Sequence, residues 1–178
     1  MEVNYFGAVA LTKAFLPLLR ASKGRVINIS SLAGIISTGS RSIYCGSKFA
    51  LEGFSDSLRK ELRPLGVAVV LVNPGYIPTK IGQKHLERVQ GKQVEPQWLE
   101  LYGRYHKDEA AKVKQNFDSG VTTAVSTDAI EDAAFSPRPK ARYFVANFGG
   151  IPATVIAFLT RVLPTYLLDV IVEAATAK

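Results

Sequence analysis

Four polar side chains near the start of the chain have the types and spacing of a proton-transfer site. Tyr44 and Lys48 are four residues apart, Ser31 lies thirteen residues before Tyr44, and Asn4 lies further upstream. Tyrosine is a weak acid with an unperturbed pKa of about 10, and a lysine one helical turn away lies on the same helix face. Because the positive charge of the lysine favours the phenolate, this set could exchange protons near neutral pH.

The segments on either side of the tyrosine–lysine pair strengthen its interpretation as a proton-transfer site. By itself, a Y-x-x-x-K spacing is also expected for a half-buried tyrosine packed beside a solvated lysine. A strand-like apolar run precedes the pair and ends at Ser31, and a second run covers residues 67–72. The second run is followed at once by N-P-G-Y-I-P-T at 73–79, where Pro-Gly indicates a turn directly after a buried strand. Ligands bind at such strand ends in open α/β sheets.

Predicted strands and helices alternate along the chain. Apolar periodicity and end signals predict helices over about residues 2–21, 43–62, 96–105, 107–117 and 119–135. Strands are predicted over about residues 25–30, 67–72 and 142–146. This alternation predicts an α/β fold with a parallel sheet and right-handed crossovers, built as a single domain over residues 1–178.

Four motifs stand in the order and spacing of one enzyme family. They are V-N-Y-F-G at 3–7, I-N-I-S-S-L-A-G at 27–34, Y-C-G-S-K-F-A-L at 44–51 and V-N-P-G-Y-I-P-T at 72–79. With these motifs the chain resembles the short-chain dehydrogenases/reductases, strongly up to about residue 79 and more loosely beyond it. The resemblance implies a Rossmann-like, doubly wound parallel sheet. Because the sequence lacks the first strands of that fold and their glycine-rich, pyrophosphate-binding turn, we expect a fold truncated on its amino-terminal side.

The resemblance also implies chemical roles for the first set of residues. Tyr44 would be the general acid or base that exchanges a proton with the substrate oxygen, and Lys48 would favour its phenolate. Both would contact the cofactor, Lys48 through the nicotinamide ribose. Ser31 would bind the substrate oxygen where negative charge develops, while its neighbour Ser30 is expected to cap the turn. Asn4 would hold a water that relays protons from Lys48; the alternative for Asn4 is a local bond to the helix backbone.

A second set of residues would complete the cofactor site. The resemblance implies that Pro74 and Gly75 turn the chain after the second strand. The backbone of Ile77 and the side chain of Thr79 would then reach the nicotinamide carboxamide. The alternative is an ordinary turn, since Pro-Gly pairs are common in turns.

These roles imply an NAD- or NADP-dependent oxidoreductase that interconverts an alcohol and its carbonyl. The segments R-Y-F-V-A-N at 142–147 and V-L-P-T-Y-L-L-D at 162–169 resemble the tail of the retinol and hydroxysteroid dehydrogenase branch. That likeness implies a lipophilic substrate, such as a retinoid, a steroid or a related lipid. The alternative is a non-catalytic fragment that acts only as an interaction or membrane-associated module, because the cofactor-binding half is missing.

The carboxyl-terminal region, an apolar helical tail from about residue 151, leaves three interpretations open. Residues 143–160 carry no charge, and this length is close to the shortest membrane span. Glycines and prolines within it weaken that interpretation. The tail could therefore span a membrane, lie on its surface as an amphipathic anchor, or pack within the fold or against another subunit.

The amino-acid composition limits which classes of partner and which cellular compartment are expected for the protein. The net charge of +7 comes from scattered rather than clustered residues, so a nucleic-acid partner is not expected. The only cysteine, Cys45, excludes an internal disulfide and fits an intracellular, reducing compartment. His85 and His106 lack ligand spacing, so no metal site is expected. The resemblance implies a small-molecule substrate and, for the complete protein, a homo-oligomer. It also implies that the protein is cytoplasmic or associated with a membrane such as that of the endoplasmic reticulum.

Overall fold

The structure, a computed structural model, describes residues 1–80, 84, 87, 95–98, 100–102 and 121–177 of the chain. The strands are β1 (Arg25–Ile29), β2 (Ala68–Pro74), β3 (Arg142–Val145), β4 (Asn147–Phe148) and β5 (Ile151–Pro152). The helices with defined ends are α1 (Ala8–Ser22), α2 (Ser42–Leu62), α3 (Ala124–Phe135), α4 (Ala153–Val162) and α5 (Thr165–Ala177). A π-helical turn (Glu2–Gly7) leads into α1, and 3-10 turns follow β1 at Leu32–Gly34 and α2 at Arg63–Leu65.

The three longer strands form one parallel sheet in the order β1–β2–β3. In its register Val26 lies opposite Val69, and Leu71 lies opposite Arg142. The central strand β2 is apolar over most of its length, and its five inner residues are all buried. Such a continuous apolar run is typical of a parallel strand covered on both faces. β4 and β5 form a separate antiparallel hairpin.

Helices cover both faces of this sheet. α1 and α2 pack on one face, where the buried core consists of Val26, Leu58, Leu62, Val67 and Val69. α3 packs on the other face, where the core consists of Val70, Val72, Ala129, Ala133 and Tyr143. Because successive side chains of a strand point to opposite faces, neighbouring residues of β2 belong to different cores. The sheet is therefore doubly wound.

The carboxyl-terminal helices form a third core with the turn that follows β1. Leu32 of that turn and Ile36, two residues after it, pack with Ala153 and Ile156 of α4 and with Val172 of α5. Ile156 is fully buried, and burying a side chain of this size contributes about 1.5–3 kcal/mol. The tail is thus anchored to the segment that joins β1 to α2.

The observed elements confirm the predicted α/β fold with a parallel, Rossmann-like sheet, and they correct two boundaries. The first predicted helix opens as a wider π-helical turn before α-helical geometry begins at Ala8. The helix predicted from residue 119 begins at Ala124, because residues 121 and 122 have no regular secondary structure and Thr123 lies in a turn. Residues 103–120 lie outside the described ranges, and with them the predicted helix at 107–117 and part of that at 96–105.

The charge-free segment at 143–160 is divided among several elements. It contains most of β3, the β4–β5 hairpin and the first part of α4. Gly149 and Gly150 both have positive φ angles, which glycine adopts without strain, and they form the hairpin turn. No helix within the described part of the chain is long and apolar enough to cross a membrane.

Candidate functional site

Tyr44 and Lys48 occupy the first half of α2, one turn apart. The Lys48 Nζ lies 5.8 Å from the centroid of the Tyr44 ring. The same Nζ donates a hydrogen bond of 2.9 Å to the carbonyl oxygen of Ile29, the last residue of β1. The Tyr44 side chain is 40% exposed, and its hydroxyl has no hydrogen-bond partner among the residues that the structure describes. The pair therefore lies at the carboxyl end of β1 and faces outward.

Burial and a nearby carboxylate act in opposite directions on the lysine. Burial lowers the pKa of Lys48, because it disfavours the charged ammonium, and the negative charge of Glu52 opposes this shift. Glu52 lies one turn further along α2, on the same face as Lys48. Lys48 is thus a half-buried amine whose charge state depends on its neighbours.

Ser31 lies just beyond the same end of β1. Its Oγ accepts a hydrogen bond of 3.1 Å from the Ala33 backbone N–H and caps the 3-10 turn. This geometry makes the predicted cap at Ser30 wrong: the Ser30 Oγ is buried and has no partner among the described residues. The Ser31 Oγ also lies 3.5 Å from the carbonyl oxygen of Pro74, at the limit of a hydrogen bond. Ser31 therefore stands between the carboxyl ends of β1 and β2.

The turn after Ser31 packs tightly against α2 at the level of Lys48. A Cβ atom added at Gly34 would lie 2.9 Å from Glu52 Cγ, 2.9 Å from Ser30 Oγ and 3.1 Å from the carbonyl oxygen of Lys48. Only a residue without a side chain fits this approach. The close packing keeps the Ser31 turn beside the helix that carries Tyr44 and Lys48.

Asn4 reaches the site from the π-helical turn at the start of the chain. Its Nδ2 donates a hydrogen bond of 3.1 Å to the Oγ of Ser47, the residue before Lys48. The Ser47 Oγ in turn donates to the carbonyl oxygen of Tyr44 at 2.7 Å. The observed side-chain bond thus runs to another helix, unlike the alternative of a local backbone bond.

The segment after β2 is held by the hairpin region. The Gly75 N–H donates to the carbonyl oxygen of Val145 at 2.8 Å, and the Tyr76 N–H donates to that of Asn147 at 2.9 Å. Ile77 and Thr79 are half-buried in a segment without regular secondary structure, and no hydrogen bond of either is found within the described ranges. The structure thus brings Pro74 next to Ser31, but it shows no contact from Ile77 or Thr79 to the tyrosine or the lysine.

Three polar residues behind the site, the buried Asn73 and Glu52 and the half-buried Arg142, were not singled out by the sequence. Asn73 is fully buried and donates through Nδ2 to the carbonyl oxygen of Ser31 at 3.2 Å and to Glu52 Oε1 at 2.6 Å. Arg142 forms an ion pair with the other oxygen of Glu52 at 3.0 Å. The signals available were the i, i+4 spacing of Glu52 to Lys48 and the position of Asn73 directly before Pro-Gly.

The donors at this strand edge fit a ligand with several hydroxyl groups. Lys48 uses one N–H for Ile29 and retains two further donors, and the Tyr44 hydroxyl can donate or accept. Both lie at the carboxyl ends of parallel strands, where open α/β sheets bind nucleotides and substrates. Within the described residues, no cluster of histidine, cysteine or carboxylate side chains could hold a metal ion.

Comparisons with known proteins agree with this geometry. The chain is 42% identical over 156 residues to mitochondrial D-beta-hydroxybutyrate dehydrogenase of Mus musculus, a match that covers 83% of the chain and 45% of the relative. It is 34% identical over 179 residues to human retinol dehydrogenase 16, which covers 96% of the chain and 54% of that protein. The chain therefore spans about half the length of these relatives. The second match includes the tail and confirms its predicted likeness to the retinol dehydrogenase branch.

A solved structure shares the fold. The crystal structure of a short chain dehydrogenase from Burkholderia cenocepacia J2315, in complex with NADP, superposes with a TM-score of 0.68 at 22% identity. The superposition covers 97% of this chain and 56% of the other. At the level of sequence, residues 1–90 match the short chain dehydrogenase family. The chain belongs to the short-chain dehydrogenase/reductase family.

Proposed function

We propose that the chain carries the acid–base part of an NAD(P)-dependent oxidoreductase that interconverts an alcohol and its carbonyl. One observation carries the proposal: the Lys48 amine lies 5.8 Å from the Tyr44 ring and is tied to the end of β1, two residues before Ser31. The phenol of Tyr44, the amine of Lys48 and the hydroxyl of Ser31 therefore all belong to the region at the carboxyl end of β1. We also propose that residues 1–178 form a single domain whose tail begins near residue 151.

Tyr44 is the proposed general acid in reduction and general base in oxidation. Its hydroxyl is open to a ligand, and the Lys48 Nζ lies 5.8 Å from its ring centroid. Lys48 retains two donors, which suit the ribose of a bound nicotinamide nucleotide. When bound, the nicotinamide would supply or accept the hydride, so that Tyr44 has only to exchange the proton.

Ser31 is the proposed binding group for the substrate oxygen. Its Oγ accepts from Ala33 and makes only a long contact of 3.5 Å to Pro74, so its hydroxyl hydrogen is available to a ligand. Donating that hydrogen to an oxygen with developing negative charge would stabilise the transition state.

Asn4 is the proposed end of a proton relay. Its amide nitrogen is fixed by Ser47, which leaves the amide oxygen to accept a hydrogen bond from a water. Such a water beside Lys48 would connect the ammonium to solvent. Asn4→Ala should therefore slow proton exchange between Lys48 and solvent while Tyr44 remains in place.

The segment from Pro74 to Thr79 is the proposed contact to the nicotinamide carboxamide. Pro74 and Gly75 follow the sheet edge directly, and Ile77 and Thr79 are half-buried on the way out of it. The proposal includes NAD and NADP equally, because the part of the fold that reads the adenosine ribose is not in this sequence.

A lipophilic alcohol is the proposed substrate class. Trp98, Leu101 and Tyr102 are about half exposed or more, and the Trp98 and Tyr102 ring centroids are 6.1 Å apart. An exposed apolar cluster of this kind suits a retinoid or a steroid. The likeness to human retinol dehydrogenase 16 over nearly the whole chain supports the same class.

A short hydroxy acid is the second candidate. It is favoured by the 42% identity to mouse D-beta-hydroxybutyrate dehydrogenase, although that match covers less of the chain. Turnover with retinol, a hydroxysteroid and D-beta-hydroxybutyrate would decide between the two classes. A rate confined to the hydroxy acid would contradict the lipophilic proposal.

Peripheral membrane contact through the tail is part of the proposal. α4 and α5 expose apolar side chains, namely Val155, Phe158, Val162, Tyr166, Leu167 and Val170. Together with the positive net charge, they suit adsorption to an anionic bilayer. Co-sedimentation with phosphatidylserine-containing vesicles, compared with Phe158→Ser, tests this contact. The proposed location is intracellular, cytoplasmic or membrane-associated; mitochondria are an alternative, given the name of the mouse relative.

A non-catalytic interaction module remains the alternative in a different class. Leu11, Phe15 and Leu18 of α1 are exposed, and so is Phe6 in the π-helical turn before it. Among the described strands, β1 has only β2 as a partner. Exposed apolar faces and open strand edges favour association, including a homo-oligomer. Calorimetric titration of the full chain with NADH and NADPH distinguishes the two: binding at micromolar cofactor favours the enzyme.

Substitution of the proposed acid–base residue tests the enzyme directly. Turnover is measured for two proteins. The first is the full chain, and the second is a fusion in which the amino-terminal part of the mouse relative, the part outside the similarity, precedes the full chain. Tyr44→Phe should abolish turnover and leave cofactor affinity nearly unchanged, because only the ionisable oxygen is lost. Tyr166→Phe, in the exposed face of α5, is the matched control and should keep full turnover. Full turnover in Tyr44→Phe would refute the proposal.

A further inference from the structure

A buried carboxylate lies behind the candidate site and contacts two strands from its helix. Glu52 is 6% exposed, one turn after Lys48 on α2. Its Oε1 accepts a hydrogen bond of 2.6 Å from Asn73 Nδ2, near the end of β2. Its Oε2 accepts one of 3.1 Å from Arg142 Nε, at the start of β3. Both oxygens are therefore held, and the carboxylate has one fixed position.

Asn73 passes this position on to the backbone at Ser31. The same Nδ2 that donates to Glu52 also donates to the carbonyl oxygen of Ser31 at 3.2 Å. With two acceptors on one side, the amide must present its NH₂ group there and not its oxygen. The Asn73 Oδ1 has no partner in the described part of the chain, so the donor side alone fixes this side chain. Two hydrogen bonds thus connect Glu52 to the residue proposed to bind the substrate oxygen.

The charge of Glu52 also acts on Lys48. Burial lowers the pKa of Lys48 and Glu52 opposes that effect, so loss of the carboxylate leaves burial unopposed. Within the described part of the chain, the other titratable side chain found near the amine is that of Tyr44, on the same helix. The neighbouring end of β1 contributes the carbonyl of Ile29.

The arginine behind Glu52 strengthens the dependence. Arg142 lies 3.0 Å from Glu52 and 2.6 Å from Asp56, which also pairs with Arg59 at 2.7 Å. The cluster is balanced while Glu52 is charged. Without that charge, the positive charge of Arg142 would be less screened and would disfavour the ammonium further.

We propose that Glu52 and Asn73 are positioning residues of this site. The charge of Glu52 favours the ammonium form of Lys48, and through the Asn73 amide Glu52 fixes the backbone that presents Ser31. The assignment of a role in turnover rests on the proposed function; the electrostatic effect of Glu52 on Lys48 does not.

Two substitutions at one position separate the charge from the hydrogen bond. Glu52→Gln keeps an acceptor oxygen for Asn73 but removes the charge. Glu52→Asp keeps the charge but is one methylene shorter and draws the oxygen away from Asn73. Glu61→Gln is the matched control, since Glu61 lies on the same helix and accepts a hydrogen bond from Ser57 at an exposed position.

The first measurement is the titration of Lys48 in the full chain. Lysine amines are ¹³C-methylated and followed by NMR against pH, and Lys48→Arg identifies the signal. Glu52→Gln should lower the Lys48 pKa clearly, Glu52→Asp should lower it less, and Glu61→Gln should leave it unchanged. An unchanged Lys48 titration in folded Glu52→Gln would overturn the proposal.

The second measurement is the pH dependence of turnover. In Glu52→Gln the alkaline limb of kcat/KM should move to lower pH, with roughly a tenfold lower rate at its alkaline end, because the ammonium is lost earlier. A purely structural role would lower the rate at every pH alike and would contradict this expectation. Asn73→Ser serves if Glu52→Gln fails to fold: kcat should fall while the Lys48 titration stays as in the wild type, and wild-type kcat would overturn the Asn73 role.

The outcomes also separate this inference from the proposed function. If Tyr44→Phe keeps full turnover, the proposed function fails, whereas a lowered Lys48 pKa in Glu52→Gln still establishes the electrostatic effect of Glu52 on Lys48. If Tyr44→Phe abolishes turnover and Glu52→Gln changes neither the titration nor the alkaline limb, the enzyme proposal stands and the positioning role is wrong.

Discussion

Replacing Gly75 with alanine should destabilise the fold by forcing apart the end of β2 and the β4 strand. A Cβ atom at this position would lie 2.1 Å from the carbonyl oxygen of Asn147 and 2.8 Å from its carbonyl carbon. Ordinary van der Waals contact begins near 3.4 Å, so the two backbones must separate by more than 1 Å. The neighbour is backbone rather than a flexible side chain, and it therefore cannot rotate out of the way.

The magnitude follows from the contacts that this separation breaks. Overpacking of a tight site costs about 1–3 kcal/mol. The hydrogen bonds from Gly75 to Val145 and from Tyr76 to Asn147 contribute about 0.5–1.5 kcal/mol each. We expect Gly75→Ala to lower the free energy of unfolding by about 2–6 kcal/mol. For a chain of this length, the melting temperature should fall by about 5–25 °C.

Urea and thermal unfolding of the full chain, followed by circular dichroism, measure both quantities. Gly53→Ala is the control, because Gly53 lies in α2 and an added Cβ there meets nothing within 4 Å. Alanine in that helix should raise stability by about 0.5–1 kcal/mol. Equal stability of Gly75→Ala and wild type, or equal losses in both variants, would refute the assigned contact between Gly75 and Asn147.

Two further changes test the cores around the sheet. Ile156→Ala should lower the free energy of unfolding by about 2–5 kcal/mol, because a fully buried side chain of α4 is removed; a loss below that of Ile156→Val in urea titration would contradict the packing. Burial and the hydrogen bond to Asp132 raise the pKa of Tyr143 above its unfolded value. Its neutral form therefore stabilises the fold below pH about 10, and this contribution is lost as pH rises through the folded pKa. Tyr143→Phe should flatten that alkaline decline, measured as melting temperature against pH, and an unchanged slope would refute the assignment.

The sheet and the edge that carries the site were predictable because their signals are local. Apolar runs located β1 and β2, and the turn signals after them located the strand ends where Ser31 and Pro74 stand. The spacing of Tyr44 and Lys48 placed both on one helix face. Each of these inferences needs only residues that are close together in the chain.

The parts that escaped prediction depend on distant partners or on subtle backbone geometry. The ion pair between Glu52 and Arg142 joins residues 90 positions apart, and no local pattern announces it. Which of two adjacent serines caps the turn depends on the backbone direction after β1, and the observed cap is Ser31. The β4–β5 hairpin lies in an apolar segment whose composition also fits a helix. The positive φ angles of its two glycines, which form the hairpin turn, are not visible in the sequence.

The π-helical turn at Glu2–Gly7 gives the segment that carries Asn4 about one residue more than an α-helical turn would hold. Removing one residue from this segment would let it relax into an ordinary α-helix, and the side chains on either side of the cut would keep their directions. A deletion within α1, which has no such extra residue, would instead rotate every side chain upstream of it by about 100° and turn Asn4 away from Ser47. Between otherwise similar chains, a one-residue gap in the π-helical turn would therefore preserve the direction of the helix, whereas a gap in α1 would mark the loss of the bond between the amide and the serine.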